Sequence, residues 1–158
     1  MTLYHGSSVI IQRPDISYAR ETTDFGKGFY TTTIQSHAEK WAMRFKRKQN
    51  SGIVSFYEID ESEMRKNLSI LEFNTYSEEW LNFIARCRQG YAVNNWDLII
   101  GGIANDDVFN TLTLFFDRYI DKSEAIKRLR YEKPNIQYCF KTQSMIDKHL
   151  IFTEYTAI

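Results

Sequence analysis

The residues best suited to chemistry lie in residues 24–41, DFGKGFYTTTIQSHAEKW. Gly26 and Gly28 flank Lys27, and this spacing favours a sharp loop, because glycine adopts backbone angles closed to other residues and lets a ligand approach the main chain. The β-branched and aromatic residues that follow predict a strand over 29–33. The order predicts a loop able to hold a ligand, although an ordinary tight turn remains the alternative.

A helix is predicted directly after this strand, and two aromatic side chains flank the junction. Ser36 is a good N-cap, and Glu39 three positions later would complete a capping box. The strand would present Tyr30, and the helix would bring Trp41 round about a turn and a half beyond its cap. Two rings so placed could bind a planar ligand between them, whereas two core aromatics would need no ligand.

The first histidine lies where a predicted strand over 2–4 gives way to a loop. His5 is followed by Gly6 and Ser7, in the sequence LYHGS. An imidazole at such a boundary can donate or accept a hydrogen bond toward a ligand. A histidine satisfied by a neighbouring carbonyl is the alternative.

The composition indicates a folded protein with an ordinary core. The chain has 158 residues, of which 43% are hydrophobic and 15% aromatic. A chain of this length buries about 68–70% of its unfolded surface, and we expect a single domain over residues 1–158. Twenty basic and twenty acidic residues cancel, so no global field draws the chain to nucleic acid or an anionic membrane.

Local clusters of charge, the cysteines and the N-terminus give further information about possible partners and location. Residues 44–48 (RFKRK) and 127–133 (KRLRYEK) are basic clusters that could contact RNA or a partner, or could be solvated helix faces. Cys87 and Cys139 lack CxxC spacing and a nearby histidine cluster, so buried thiols are expected and a metal site is not. Without a signal-like N-terminus or an apolar run of membrane length, we expect a cytosolic protein without a membrane partner.

The remaining pattern mixes strands and helices without regular alternation, which predicts the α+β class. Ser77 as N-cap and Gly90 as C-cap delimit one helix, and the apolar run WDLIIGGI predicts a buried strand. Helices are predicted over 36–49, 77–90, 105–116 and 123–130; strands over 53–59, 68–73, 96–103, 135–141 and 150–155, with a short helical turn before the last.

Three separated stretches together resemble the ADP-ribosyltransferase superfamily, in the branch that contains diphtheria toxin and the poly(ADP-ribose) polymerases. That branch carries a His-Tyr-Glu triad on three strands. LYHGS supplies His5, FGKGFYTT supplies Tyr30 in a form close to Gly-x-Gly-x-Tyr, and Trp41 stands eleven residues after Tyr30, in the register of the family's second aromatic. NIQYCF puts Gln137 where the third motif has glutamate.

Nearly the whole chain is also similar to a bacterial domain family of unknown function with this fold. The shared segments are LYHGS, DFGKGFY, WDLIIGGIANDD and QYCF. Its members are often encoded beside a small partner gene, in the manner of a toxin and its antitoxin. The resemblance implies split antiparallel β-sheets flanked by helices, with a small antitoxin as partner.

The resemblance implies NAD as substrate and gives each motif a role. His5 would hydrogen-bond the adenosine ribose, and the main chain of the LYHGS motif, Gly6 with Ser7, would hold the nicotinamide amide. Tyr30 and Trp41 would sandwich the nicotinamide ring. The backbone of Gly26, Lys27 and Gly28 would pass close to the dinucleotide. Catalysis would then rest on His5, Tyr30 and Gln137.

At position 137 the sequence has glutamine in place of the glutamate that takes part in catalysis in the resembled family. A glutamate there would hydrogen-bond the ribose 2′-hydroxyl and stabilise the positive charge that develops on the ribose. Glutamine can still form hydrogen bonds, but it has neither the negative charge nor the basicity of glutamate. Three readings stay open: mono-ADP-ribosyl transfer to a cytosolic protein or nucleic acid, slow NAD hydrolysis, and binding without turnover. Transfer is favoured, since the nicotinamide-binding half is intact. The carboxylates that could assist are those of Asp106, Asp107, Glu132 and Glu154.

Overall fold

A computed structural model describes residues 1–66, 69–91, 95–104 and 106–158, with side chains for all of these but Asp106. Its strands are β1 Thr2–Ser7, β2 Phe29–Thr32, β3 Ile53–Glu58, β4 Ile70–Glu72, β5 Leu98–Gly102, β6 Ile136–Phe140 and β7 Ile151–Ala157. Its α-helices are α1 Gln35–Gln49, α2 Glu61–Met64, α3 Glu78–Arg88, α4 Asp106–Phe116, α5 Lys122–Leu129 and α6 Gln143–His149, and a 3-10 turn covers Ile16–Tyr18.

The strands form a single mixed sheet in the order β4-β5-β6-β2-β1-β3-β7, and the α+β class is confirmed. Its two halves meet where Tyr4 of β1 lies opposite Thr32 of β2, the one residue pair that joins these strands. One pair departs from the predicted antiparallel arrangement, since β4 and β5 run parallel. The chain between them passes through α3, and a crossover of that length permits parallel pairing.

Helices cover both faces of the sheet. On β5, Leu98 and Ile100 enter one hydrophobic cluster while Ile99 enters another, as the two-residue period of a strand requires. The second cluster contains the apolar faces of α3, α4 and α5, and the first contains that of α6. All of β5 is buried, which confirms the strand predicted from the apolar run.

The N-cap of helix α1 lies two residues earlier than predicted, and the predicted capping box is wrong. The N-cap is Ile34, whose side chain cannot accept a hydrogen bond, and no side-chain cap bond forms. Ser36 therefore lies inside the first turn, while Glu39 accepts a hydrogen bond from Gln35 Nε2 at 2.9 Å. The strand turns directly into the helix because the Thr32 hydroxyl accepts the Ile34 N–H at 3.1 Å.

The predicted ends of α3 agree with the structure to within one residue, since the N-cap is Ser77 and the C-cap is Gln89. The Ser77 hydroxyl accepts the Trp80 N–H at 3.2 Å, and Gly90 follows α3 with a φ of +83°. Leu68, the first residue of a predicted strand, and Asn105, the predicted start of α4, lie outside the described residues. In the described part of the chain, no helix combines the length and apolar character needed to cross a membrane.

Candidate functional site

A cavity of about 510 Å³ opens where β1, β2 and β6 lie beneath α1. Five of the predicted site residues line it: His5, Gly6, Tyr30, Trp41 and Gln137. They come from three strands and one helix, and the sheet order places β6, β2 and β1 side by side. A volume of this size is ordinary for a small-molecule site.

The His5 imidazole is fixed at one wall of the cavity. Its Nδ1 lies 2.6 Å from the Tyr30 carbonyl oxygen, and its ring packs on Phe29 with centroids 4.4 Å apart. A carbonyl only accepts, so Nδ1 carries the proton and Nε2 of the neutral ring is a hydrogen-bond acceptor. Burial lowers the pKa of His5, although the bond to Tyr30 opposes the shift. The ring is therefore neutral near pH 7 and can accept a ligand hydroxyl.

The Tyr30 hydroxyl is held by the loop that precedes its own strand. It accepts the Phe25 N–H at 2.9 Å, donates to the Gly26 carbonyl at 2.7 Å and lies 2.8 Å from the Thr23 hydroxyl. Burial is the main reason that the pKa of Tyr30 rises well above its ordinary value. The phenol is thus neutral and anchored, and its ring forms part of the cavity wall.

The Gly-Lys-Gly loop does not itself line the cavity. Gly26 has a φ of +72°, a left-handed conformation that turns the loop around the Tyr30 hydroxyl. A Cβ at Gly28 would lie 2.3 Å from Cys139 Sγ, so β6 requires glycine there. Lys27 extends toward Glu21, with 3.9 Å between Nζ and Oε1. Contact of these residues with a ligand stays a prediction, while the Gly26 carbonyl accepts a hydrogen bond from the Tyr30 hydroxyl.

Gly6 determines how closely α1 approaches the sheet. A Cβ at this position would meet the Ala38 carbonyl oxygen at 2.1 Å and the Ala42 nitrogen at 2.8 Å. The helix therefore packs directly on the β1 backbone, which brings Trp41 to the cavity edge. Trp41 is 52% exposed, and the Arg44 guanidinium carbon lies 4.3 Å from its ring centroid. Ser7 is buried beyond the cavity, where its hydroxyl donates to the Val9 carbonyl at 2.6 Å.

Gln137 is the second residue of β6, opposite Thr32 on one side and Gly101 on the other. Its side chain is buried and reaches the cavity wall. The only hydrogen bond described for its amide is a long one, from Nε2 to the Gly102 carbonyl at 3.4 Å. The amide is therefore only weakly held and could bond a ligand hydroxyl instead.

The sequence did not predict two features of the cavity wall, an ion pair and a pair of buried polar atoms without partners. Arg88 forms an ion pair with Asp24 at 2.7 Å, and these residues are 64 positions apart, so no local pattern reveals the pair. Thr31 Oγ1 and His37 Nδ1 are buried, and neither has a hydrogen-bond partner among the described residues. Burial and the nearby Lys40 lower the pKa of His37. Unpaired polar atoms of this kind in a cavity wall favour a polar ligand.

The carboxylates near the cavity are fewer than the sequence suggested. Asp107 lines it, as does Asp24 within its ion pair. Glu132 is not part of the wall, and Glu154 lies on edge strand β7 opposite Phe56. Asp106 begins α4, and its side chain is not described. Asp107 is therefore the one predicted carboxylate that the described cavity wall contains.

The cysteines are buried and free, as predicted. Burial raises the pKa of Cys139 to about 12 and also raises that of Cys87, which keeps both as thiols. Within the described residues, no group of three or more His, Cys, Asp or Glu side chains is arranged to hold a metal ion.

The chain belongs to the family described as protein of unknown function (DUF3990), whose model matches residues 1–152. This agrees with the predicted similarity to a domain family of unknown function. No curated protein and no solved structure matches the chain.

Proposed function

We propose that this protein is a mono-ADP-ribosyltransferase that cleaves NAD in the cavity and transfers ADP-ribose to a cytosolic macromolecule. The observation that carries the proposal is the convergence of His5, Tyr30, Trp41 and Gln137 on one cavity. These residues belong to sequence motifs that lie far apart in the chain. Their common location is what a shared binding role requires.

The cavity offers each part of NAD a suitable partner. The neutral His5 ring has an acceptor nitrogen for a ribose hydroxyl. Tyr30 and Trp41 supply aromatic surface for the flat nicotinamide ring. Gln137 supplies an amide for the second ribose, and the Arg88 guanidinium in the wall suits the diphosphate.

The chemistry needs little proton transfer at the bond that breaks. The bond between ribose C1′ and nicotinamide breaks, the neutral nicotinamide leaves with the electron pair, and positive charge develops on the ribose. An acceptor N–H or O–H then bonds C1′ and loses its proton. The site contributes orientation and electrostatic stabilisation. Asp24 is committed to Arg88, so Asp107 is the lining carboxylate that we assign as proton acceptor.

The glutamine at position 137 is the reason for two alternative functions, which are NAD hydrolysis and NAD binding without turnover. It cannot provide the negative charge that a glutamate would place beside the ribose, so the rate must be lower than with that carboxylate. Elongation into poly(ADP-ribose) is excluded from the proposal for the same reason. The proposed physiological role is that of a toxin held inactive by a small antitoxin protein.

The test is incubation with NAD labelled in its adenylate half, with and without a cell lysate. Free nicotinamide and labelled macromolecules are both measured. We expect label on a defined class of macromolecule, lost in His5→Ala and Tyr30→Ala and reduced in Gln137→Ala. Gln12→Ala, an exposed glutamine, is the matched control for the last variant.

The outcomes separate the candidates. Nicotinamide release without label would establish hydrolysis in place of transfer. Full activity in Gln137→Ala would refute the role of that residue. Binding of NAD without release or label would leave a binding module. Circular dichroism of each variant shows whether it is folded, so that a loss of activity through unfolding is recognised.

A further inference from the structure

A stripe of basic side chains runs along α1 away from the cavity. Lys40, Arg44, Arg47 and Lys48 are all exposed, and we call them the basic stripe. At 100° and 1.5 Å per residue they occupy an arc of about 100° and a length of ~12 Å. The four charges therefore share one face of the helix.

The charges of the basic stripe are not neutralised within the protein. In the part of the chain that the structure describes, none of the four has a carboxylate within ion-pair distance. The second basic cluster differs, because Arg128 pairs with Glu124 at 2.8 Å. The only acid in α1 is Glu39, which accepts a hydrogen bond from Gln35. A local positive field thus persists on a chain of zero net charge.

The basic stripe is continuous with the cavity. Lys40 and Arg44 line both, and the half-exposed Trp41 lies between them in sequence. With Arg88, the wall contains three cationic side chains and two carboxylates, those of Asp24 and Asp107. A polyanion bound along α1 would therefore be guided to the cavity mouth.

We propose that the acceptor is a single-stranded nucleic acid whose phosphates lie along the basic stripe and whose unpaired nucleotide enters the cavity mouth. This inference rests on the proposed function. The reacting carbon of NAD would lie within the cavity, and a base stacked inside a duplex cannot reach such a place without being flipped out. An unpaired strand reaches it without that penalty. A positively charged surface that follows the backbone is a common feature of proteins that bind such strands.

The transfer step is the same as that proposed above. An N–H or O–H of the unpaired nucleotide bonds ribose C1′, and nicotinamide leaves with the electrons of the broken bond. The proton passes to the Asp107 carboxylate. No oxidant or further reactant is needed.

The test is a binding measurement in the absence of NAD, so that it does not depend on turnover. Fluorescence anisotropy follows a labelled 20-nucleotide single strand between 50 and 200 mM salt. Four phosphate contacts predict a slope of log K against log salt of about −3, and hence about a 50-fold loss of affinity over that range. Arg47→Gln with Lys48→Gln should halve the slope, because each contact contributes about 0.7.

The matched control removes two charges elsewhere. Lys127→Gln with Arg130→Gln, in and next to α5, should leave the slope unchanged. No binding at 50 mM salt, or an equal slope in both double variants, would overturn the proposal. Equal affinity for the matching duplex would overturn the choice of a single strand. Binding to vesicles containing phosphatidylserine, without binding to the strand, would assign the stripe to membranes instead.

The two proposals can fail separately. NAD turnover without strand binding would leave the enzyme in place and remove the nucleic-acid acceptor. Binding of the single-stranded nucleic acid through the basic stripe, without NAD turnover, would support the nucleic-acid surface and refute the transferase activity.

Discussion

The Tyr30 hydroxyl should contribute to stability independently of any ligand. Phe25 is fully buried, and in the described part of the chain the hydroxyl is the acceptor for its N–H. Tyr30→Phe leaves that N–H without a partner, and an orphaned buried donor costs about 1–3 kcal/mol. The Gly26 carbonyl loses less, because the Thr23 hydroxyl also donates to it at 2.6 Å. We therefore expect a loss of about 2 kcal/mol in the free energy of unfolding, an estimate for the single orphaned amide.

The assay is urea unfolding followed by circular dichroism, with thermal unfolding as a second measure. For a chain of this length, 2 kcal/mol lowers Tm by roughly 4–8 °C. Tyr119→Phe is the matched control, because that side chain is 77% exposed and its hydroxyl has no described partner. It should change stability by less than about 0.5 kcal/mol. If Tyr30→Phe were no less stable than Tyr119→Phe, the claim that the hydroxyl anchors the loop would be refuted.

Three further predictions concern residues around the cavity. Gly6→Ala should lower the free energy of unfolding by about 3 kcal/mol, because its Cβ would overlap the α1 backbone; urea unfolding unchanged from wild type would contradict this. The pKa of His5 lies below its ordinary 6.5, so the unfolded chain binds more protons and stability should fall between about pH 7 and pH 5. His5→Gln should flatten that profile and His5→Gln/His37→Gln should flatten it further, since the pKa of His37 is lowered too; an unaltered profile would count against this. Asp24→Asn and Arg88→Gln should each cost about 1–2 kcal/mol, with the double variant losing less than the sum; strict additivity would show that the pair is uncoupled.

Features encoded locally could be predicted from the sequence. The Ser77 cap and the glycine after α3 depend on a few neighbouring residues, and the buried strand β5 is an unbroken apolar run. The capping box at Ser36 failed because the Thr32 hydroxyl closes the turn before it, and strand β2 therefore leads straight into α1. A local sequence pattern predicts that a helix or strand is present more reliably than it predicts the residue at which that helix or strand begins.

The candidate site could be predicted only where motifs named its residues. His5, Tyr30, Trp41 and Gln137 share a cavity, but their convergence depends on strand order, which no local pattern contains. The Asp24–Arg88 ion pair joins residues 64 positions apart and gives no signal in either segment. Such partners are chosen by the tertiary fold, so sequence spacing alone cannot find them.

The glycines have a packing role that the motifs do not reveal. A Cβ at Gly6 would meet α1, and a Cβ at Gly28 would meet Cys139. Gly6 also lines the cavity, so contact of its backbone with a ligand stays a prediction, as it does for Gly28. A glycine in a strand indicates close approach without saying what approaches.

NAD should bind between Tyr30 and Trp41, and calorimetric titration measures this binding without requiring turnover. We expect saturable binding that weakens by up to about tenfold in Trp41→Ala, since one aromatic stack contributes about 0.5–1.5 kcal/mol. Met43→Ala, on the same helix but outside the cavity wall, should bind like the wild type. No saturable binding, or equal affinity in Trp41→Ala and Met43→Ala, would refute NAD binding between the two rings.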